Sequence, residues 1–212
     1  MKSHASHTAT MLEADNLAAV RGHTRLFANI ALRVDARETL FVTGPNGSGK
    51  TTLLRILAGL SAPAAGVIRW MGNVVAPLDA CVRDEVAFAG HLPALKDELT
   101  AIENLVALVT LGGITVTTEQ AFVALDRVAL SRQRLLPARV LSQGQRRRIG
   151  LARLTLVKKP LWILDEPTTG LDSDGIALLT SLLRQHLDAN GCAVVATHQP
   201  LSVPRFANLA LA

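Results

Sequence analysis

Gly44-Pro45-Asn46-Gly47-Ser48-Gly49-Lys50-Thr51 is the stretch from which the rest of the chain is read. It fits the pattern G-x-x-x-x-G-K-[ST] without a gap. Ahead of it, Thr39-Leu40-Phe41-Val42 is a short apolar run rich in strand formers. Behind it, Leu53, Leu54, Ile56, Leu57 and Leu60 fall on one helical face, which predicts a helix through Leu60. The stretch therefore joins a strand to a helix. Its glycines let the backbone curl until the N–H groups point inward at an anion. The helix beginning near Lys50 adds the positive end of its dipole. In that setting residues 44–49 cradle a nucleoside triphosphate, Lys50 reaches the β- and γ-phosphates, and the Thr51 hydroxyl binds Mg²⁺.

Three further features follow in chain order. Leu141-Ser142-Gln143-Gly144-Gln145 contains the capping box S-x-x-Q, which predicts a helix running to about Val157 and stopping near Pro160. The box is either a plain helix cap or, because a helix N-terminus with a hydroxyl attracts anions, part of a phosphate site. Leu161-Trp162-Ile163-Leu164-Asp165-Glu166 is a buried strand with two acids at its C-terminal end, where parallel sheets bind ligands. Asp165 is placed to share Mg²⁺ with Thr51, and Glu166 to take the proton of an attacking water. His198 follows the apolar run Ala193–Ala196, again at a strand's C-terminal edge, and is placed to touch a γ-phosphate.

Around these motifs the pattern is α/β. Residues 11–43 read as short strands (17–20, 26–27, 30–34) separated by polar turns, forming an antiparallel sheet that leads into the loop. Residues 67–70 read as a further strand. Residues 92–157 keep near-helical apolar spacing and read as an inserted helical subdomain. Strand and helix units then return at 161–164, 176–187 and 193–197, implying a parallel sheet in a single domain spanning 1–212.

Composition narrows the class. Hydrophobic residues make up 49% of the 212, yet the longest apolar run, Leu105 to Val116, is broken by Thr and two Gly. That falls short of the ~18 residues of a membrane span, but suits a protein that sits against something apolar. A net charge of +5 permits an acidic partner or an anionic membrane surface. Aromatics are only 3%, with no Tyr, which argues against a base-stacking platform and against nucleic acid as partner. Arg146-Arg147-Arg148 reads as a solvated face. Cys81 and Cys192 belong to no C-x-x-C, which points to reduced thiols and a cytosolic compartment. The N-terminus lacks an apolar core of the signal-peptide kind, and His4 and His7 read as a loose tail.

Taken together, GPNGSGKTT, LSQGQ, LWILDEPTTGLD and the late ATH resemble the ATP-binding subunits of ABC transporters over about residues 12–200. The resemblance implies a head-to-tail dimer closing on two ATP molecules. Thr52 joins the nucleotide-binding set. Lys50, Thr51 and Asp165 of one copy face Ser142, Gln143, Gly144 and Gln145 of the other. Glu166 activates water, His198 senses the γ-phosphate, and Asp172 lies in the loop coupling the two sites. More narrowly, Gly90-His91-Leu92-Pro93, Lys96-Asp97-Glu98-Leu99-Thr100, Glu103-Asn104-Leu105 and Thr197-His198-Gln199-Pro200-Leu201 resemble the haem-exporter-type ATPases of cytochrome c maturation. That implies integral membrane subunits of a haem-delivery complex as partners, release of a haem-loaded periplasmic chaperone as the work done, and a peripheral position on the cytoplasmic face of the inner membrane.

Three positions depart from the wider pattern. Arg21 stands where an adenine-stacking aromatic is expected, and a guanidinium also stacks on a purine. Arg37 occupies a turn where many relatives carry Gly. His91 replaces the usual Gln of the loop between core and helical subdomain, a change the haem-related branch shares. Mg²⁺ prefers oxygen ligands, so His91 is expected to act through water or on the membrane subunit. The alternatives are an exporter ATPase for another cargo and a soluble ABC-type ATPase. The latter usually carries two ATP domains or a long coiled-coil insert, and no heptad run occurs in this chain. No C-x-x-C-H or other haem ligand set is present.

Overall fold

The computed structural model describes residues 9–91, 94–199 and 201–212. His4, His7, Leu92, Pro93 and Pro200, which enter the sequence reading above, lie outside the described residues.

The described residues begin with two long antiparallel strands, β1 (Thr10–Arg21) and β2 (Thr24–Asp35), rather than several short ones. Of the polar interruptions that read as turns, 21–25 holds the β1–β2 hairpin, whereas 28–29 is an irregularity within β2: Asn29, like Asn16 in β1, takes a left-handed φ (57° and 53°), and the pairing register shifts beside both. Asn tolerates this region better than most residues, so the ladder absorbs the extra residues instead of reversing. Strand β3 (Thr39–Thr43) leads to the glycine loop and helix α1 (Lys50–Leu57). This helix stops before Leu60 because Gly59 turns left-handed, at φ 69°. The Gly59 and Leu60 N–H groups then donate back to the Ile56 and Arg55 carbonyls, the Schellman arrangement.

Next come β4 (Ala65–Trp70), β5 (Asn73–Val74), α2 (Ala80–Glu85) and β6 (Val86–Ala89). The interval expected to be helical holds α3 (Ala101–Leu111), α4 (Thr118–Arg127), a 3₁₀ turn (Ala138–Val140) and α5 (Gln143–Leu156). The chain ends with β7 (Leu161–Asp165), α6 (Ser173–Asp188), β8 (Cys192–Ala196) and β9 (Phe206–Ala210). No helix among the described residues is long and apolar enough to cross a membrane.

Two sheets result. The antiparallel one has the order β2-β1-β4-β5, and the parallel one β6-β7-β8-β3-β9. The parallel sheet is covered on both faces, as its uninterrupted apolar strands require. Leu161 and Ile163 of β7 pack with α1 and the antiparallel sheet. Trp162 and Leu164 pack with α3–α6. Strands β3 and β8 split in the same alternating way. Leu53, Leu54, Ile56 and Leu57 are almost fully buried. Each contributes about 1.5–3 kcal/mol, which anchors the helix that carries Lys50.

Each of α3, α4 and α5 starts with a reciprocal capping box: Thr100 with Glu103, Thr117 with Gln120, Ser142 with Gln145. The first also explains the Lys96–Thr100 and Glu103–Asn104 motifs. The buried Asn104 amide accepts from the Lys96 N–H and donates to the carbonyls of Lys96, Leu99 and Thr100, pinning that loop to α3.

Candidate nucleotide site

The glycine loop lies at the C-terminal edge of the parallel sheet. Its first residue, Gly44 (φ 144°), touches the Leu211 carbonyl so closely that no side chain fits. Leu211 in turn donates its N–H to the Thr43 carbonyl at 2.8 Å. The last strand, β9, thus braces the base of the loop. The sequence reading stopped short of it, although Phe206-Ala207-Asn208-Leu209-Ala210 carries the alternation of an edge strand. Across the loop, the Phe27 and Leu26 side chains of β2 press on Gly49.

Helix α1 opens at Gly49 with no side-chain cap. Its first N–H groups are therefore available to a ligand. Lys50 is buried, and its ammonium donates to the Gly44 and Pro45 carbonyls at 2.8 and 3.0 Å, so it crosses the cradle it was expected to serve. The Ser48 hydroxyl is buried beside it with no partner among the described residues. A cradle with open backbone donors, a lysine and an orphan hydroxyl fits a phosphate chain.

The Thr51 hydroxyl donates to Asp165 Oδ2 at 2.9 Å, joining α1 to the end of β7. No group of three or more His, Cys, Asp or Glu side chains placed to hold a metal exists among the described residues. One hydroxyl and one carboxylate fit Mg²⁺, which takes few protein oxygens and completes its shell with phosphates and water. When bound there, such an ion neutralises phosphate charge.

At Glu166 the chain leaves β7 with a left-handed φ of 50°. Its N–H donates to the Ala196 carbonyl at 2.9 Å, and its carboxylate lies 3.3 Å from His198 Nε2. The Glu166 side chain is 16% exposed and that of His198 53%, so the pair faces open space rather than the core. The His198 turn is held by Thr197, whose hydroxyl accepts from the Gln199 N–H and meets the Thr168 hydroxyl at 3.1 Å.

One cleft of about 360 Å³ is lined by Arg21, Leu26, Asn46, Gly47, Gly49, Lys50, Thr51, Thr52, His91, Asp165 and Glu166; His198 is not in its lining and meets it only through Glu166. Arg21 reaches it from the tip of the β1–β2 hairpin. Ser142, Gln143, Gly144 and Gln145 do not line it. They stand at the start of α5, where Gly144 packs on the Gly170 carbonyl and Asp172, the cap of α6, accepts from Arg148 at 2.9 Å. The Gly175 N–H and then Arg148 hold the Asp172 carboxyl below its ordinary range.

The three arginines after residues 141–145, here called the signature segment, are not a solvated face. Successive helical residues point about 100° apart, so each finds its own anchor. Arg146 donates to Asp97 at 2.6 Å and to the Ala138 carbonyl. Arg148 meets Asp172. Arg147, only 8% exposed, donates to the carbonyls of Glu166 (2.9 Å), Thr169 (3.3 Å), Gly90 (3.3 Å) and His91. Burial lowers its pKa from the ordinary guanidinium value, with Asp165 and Glu166 opposing. No local sequence pattern marks carbonyl acceptors this far from Arg147 in the chain.

A strand–glycine loop–helix unit, a carboxylate pair at the neighbouring strand end, and a capped signature helix outside the cleft together define an ATP-binding cassette. The chain belongs to the ABC transporter family, whose pattern it matches over residues 27–169. Among solved structures, a dimeric bacterial ABC transporter cassette superposes with a TM-score of 0.82 at 25% identity, covering 94% of each chain. A putative ABC transporter ATP-binding protein from Pyrococcus furiosus gives 0.80 at 26% identity, covering 93% of this chain and 96% of that one. Within the family the chain groups with the cytochrome c biogenesis ATP-binding export proteins called CcmA. It is 48% identical to the one from Nitrosomonas europaea over 90% of both chains. It is 47% identical to that of Pseudomonas aeruginosa, over 91% of this chain and 95% of the relative.

Proposed function

We propose that this protein is the ATP-hydrolysing subunit of an ABC-type export system serving cytochrome c biogenesis. The observation that carries the enzymatic part is the convergence of Lys50, the Thr51–Asp165 pair and Glu166 on one cleft at the sheet's C-terminal edge. The cytochrome c role is supported by the similarity to the CcmA proteins.

In this reading residues 44–52 bind the triphosphate and Arg21 lies against the base. Lys50 holds the β- and γ-phosphates. Glu166 orients a water and takes its proton as the water oxygen attacks the γ-phosphorus. The bond to the bridging oxygen breaks, leaving ADP and phosphate. His198 donates to the γ-phosphate. A second copy, arranged head to tail, supplies Ser142, Gln143, Gly144 and Gln145 to that phosphate, and Asp172 and His91 carry its state onward. The fact that Ser142–Gln145 stand outside the cleft of their own chain supports this arrangement. Integral membrane subunits of a haem-delivery complex receive the motion at the cytoplasmic face of the inner membrane, and the work releases a haem-loaded periplasmic chaperone.

The test is complementation. In a bacterium that makes c-type cytochromes by this route, deleting the gene removes haem stain from all of them. The wild-type gene restores it and Lys50→Ala does not. Normal haem stain in the deletion strain refutes the cytochrome c role and leaves the ATPase.

A further inference from the structure

We infer that Arg147 is a positioning residue of the hydrolytic site, locking the Glu166 backbone and the His91 loop into one arrangement from within the signature helix.

The argument starts from its partners. Every acceptor named above is a main-chain carbonyl, and the four belong to two loops: Gly90 and His91 after β6, Glu166 and Thr169 after β7. A guanidinium is a planar fork of fixed donors, so meeting four carbonyls at once fixes their relative positions. Lysine's four methylenes and single ammonium do not reproduce that. Burying a cation is costly unless it is well bonded, and here the bonds go to the two loops that line the cleft.

Glu166 is the residue this affects most. Its left-handed φ is strained for a side chain of its size. Strain of this kind persists only where the surroundings over-determine the backbone. The N–H is tied to Ala196, and the carbonyl receives both Arg147 Nη2 and the Thr169 N–H at 3.2 Å. Removing Arg147 leaves the carbonyl one weaker donor and frees the peptide to relax, swinging the carboxylate from its place beside His198. A second arginine two turns along α5, Arg153, donates to the Phe88 carbonyl in β6 and keeps helix and strand together. Loss of Arg147 therefore loosens the two loops rather than the whole helix.

The inference rests on Glu166 being the base, and the experiment separates the two. The purified full chain is assayed as wild type, Arg147→Met, Arg147→Lys, Glu166→Gln and Arg147→Met/Glu166→Gln. Arg147→Met lowers kcat about 10–100-fold, the scale of an ångström-sized misplacement, while KM for MgATP stays within about two-fold because the phosphate loop is untouched. The double variant is no slower than Glu166→Gln, since a residue acting through another loses its effect when that one is gone. Arg147→Lys keeps the cation without the fork and gives an intermediate kcat at unchanged KM. If Arg147→Met does not fold, Arg147→Lys is the deciding enzyme. Wild-type kcat in the folded Arg147 variants, or losses that multiply in the double variant, overturns the inference. Glu166→Gln turning over at the wild-type rate overturns instead the assignment of the base.

Discussion

The two ends of the parallel sheet each carry a histidine, and their fates differ. At the C-terminal end His198 is half-exposed, 3.3 Å from a carboxylate. At the N-terminal end His186 of α6 is packed flat on Trp162, with ring centroids 4.1 Å apart and an interplanar angle of 9°. Its Nε2 meets the Cys192 carbonyl at 3.0 Å, and its ring lies so close to Gly191 that only glycine fits there. Burial lowers the His186 pKa against the opposing pull of the Cys192 and Pro160 carbonyls. The same burial pushes the nearby Cys192 thiol up to about 12, which makes it inert as a nucleophile. The C-terminal end turns the Glu166–His198 pair toward open space, whereas the N-terminal end buries His186 and Cys192. Substitutions at the first end should change turnover with little effect on melting, and those at the second should do the reverse.

The largest expected effect is Lys50→Ala. It removes a buried cation and its two hydrogen bonds to the Gly44 and Pro45 carbonyls of the glycine loop. ATP binding weakens and turnover is abolished, while the melting midpoint moves by no more than about 2–4 °C. A folded Lys50→Ala protein that still hydrolyses ATP would break the contrast at its strongest point.

Glu166→Gln comes next. It keeps shape and nucleotide but slows hydrolysis about 10²–10⁴-fold, the range for loss of a general base. Gel filtration with ATP then shows more dimer than wild type. Normal turnover would move the base elsewhere.

His186→Phe tests the other end. The folded chain keeps His186 neutral to lower pH than the unfolded chain does, because its folded pKa is depressed. As pH falls below the unfolded value of about 6.5, the unfolded state gains a proton that the native state refuses, and stability drops. Phenylalanine keeps the stack on Trp162 and cannot titrate. Melting curves from pH 7.5 to 5 should therefore fall less steeply for the variant, with ATPase activity at pH 7.5 unchanged. Parallel curves would remove His186 as the source.

The smallest effect belongs to Arg37→Gly, just before β3 at the same end. Arg37 holds the φ of 65° that glycine adopts freely. Relief of about 1–2 kcal/mol of strain is partly offset by the looser unfolded chain. The ion pair lost with Asp188, 3.6 Å away and exposed, counts for little. The midpoint should rise by about 2 °C, and a fall would mean the turn is relaxed as it stands.

Much of the nucleotide cleft was legible because its parts are contiguous. A glycine loop, a strand ending in two acids and, outside the cleft, the capping box at Ser142 each act through neighbours within a few residues. Where the reading failed, the cause was context. Ala28-Asn29 looks like a turn, yet the long partner strand β1 makes it an irregularity in a continuous β2. Three arginines in a row look like a charged face until α5 is packed between Asp97, the cleft loops and Asp172.

The sequence alone determined the order strand–loop–helix, the position of the acids at a strand end, and the kinship of the whole, since each is written in side-chain identity at short spacing. Only the tertiary structure decided that β9 braces the glycine loop, that His186 is a buried partner of Trp162, and that Arg147 grips two loops at once. Those facts depend on main-chain carbonyls, present at every residue and therefore unmarked in the sequence. Packing alone selects which of them meet a given donor.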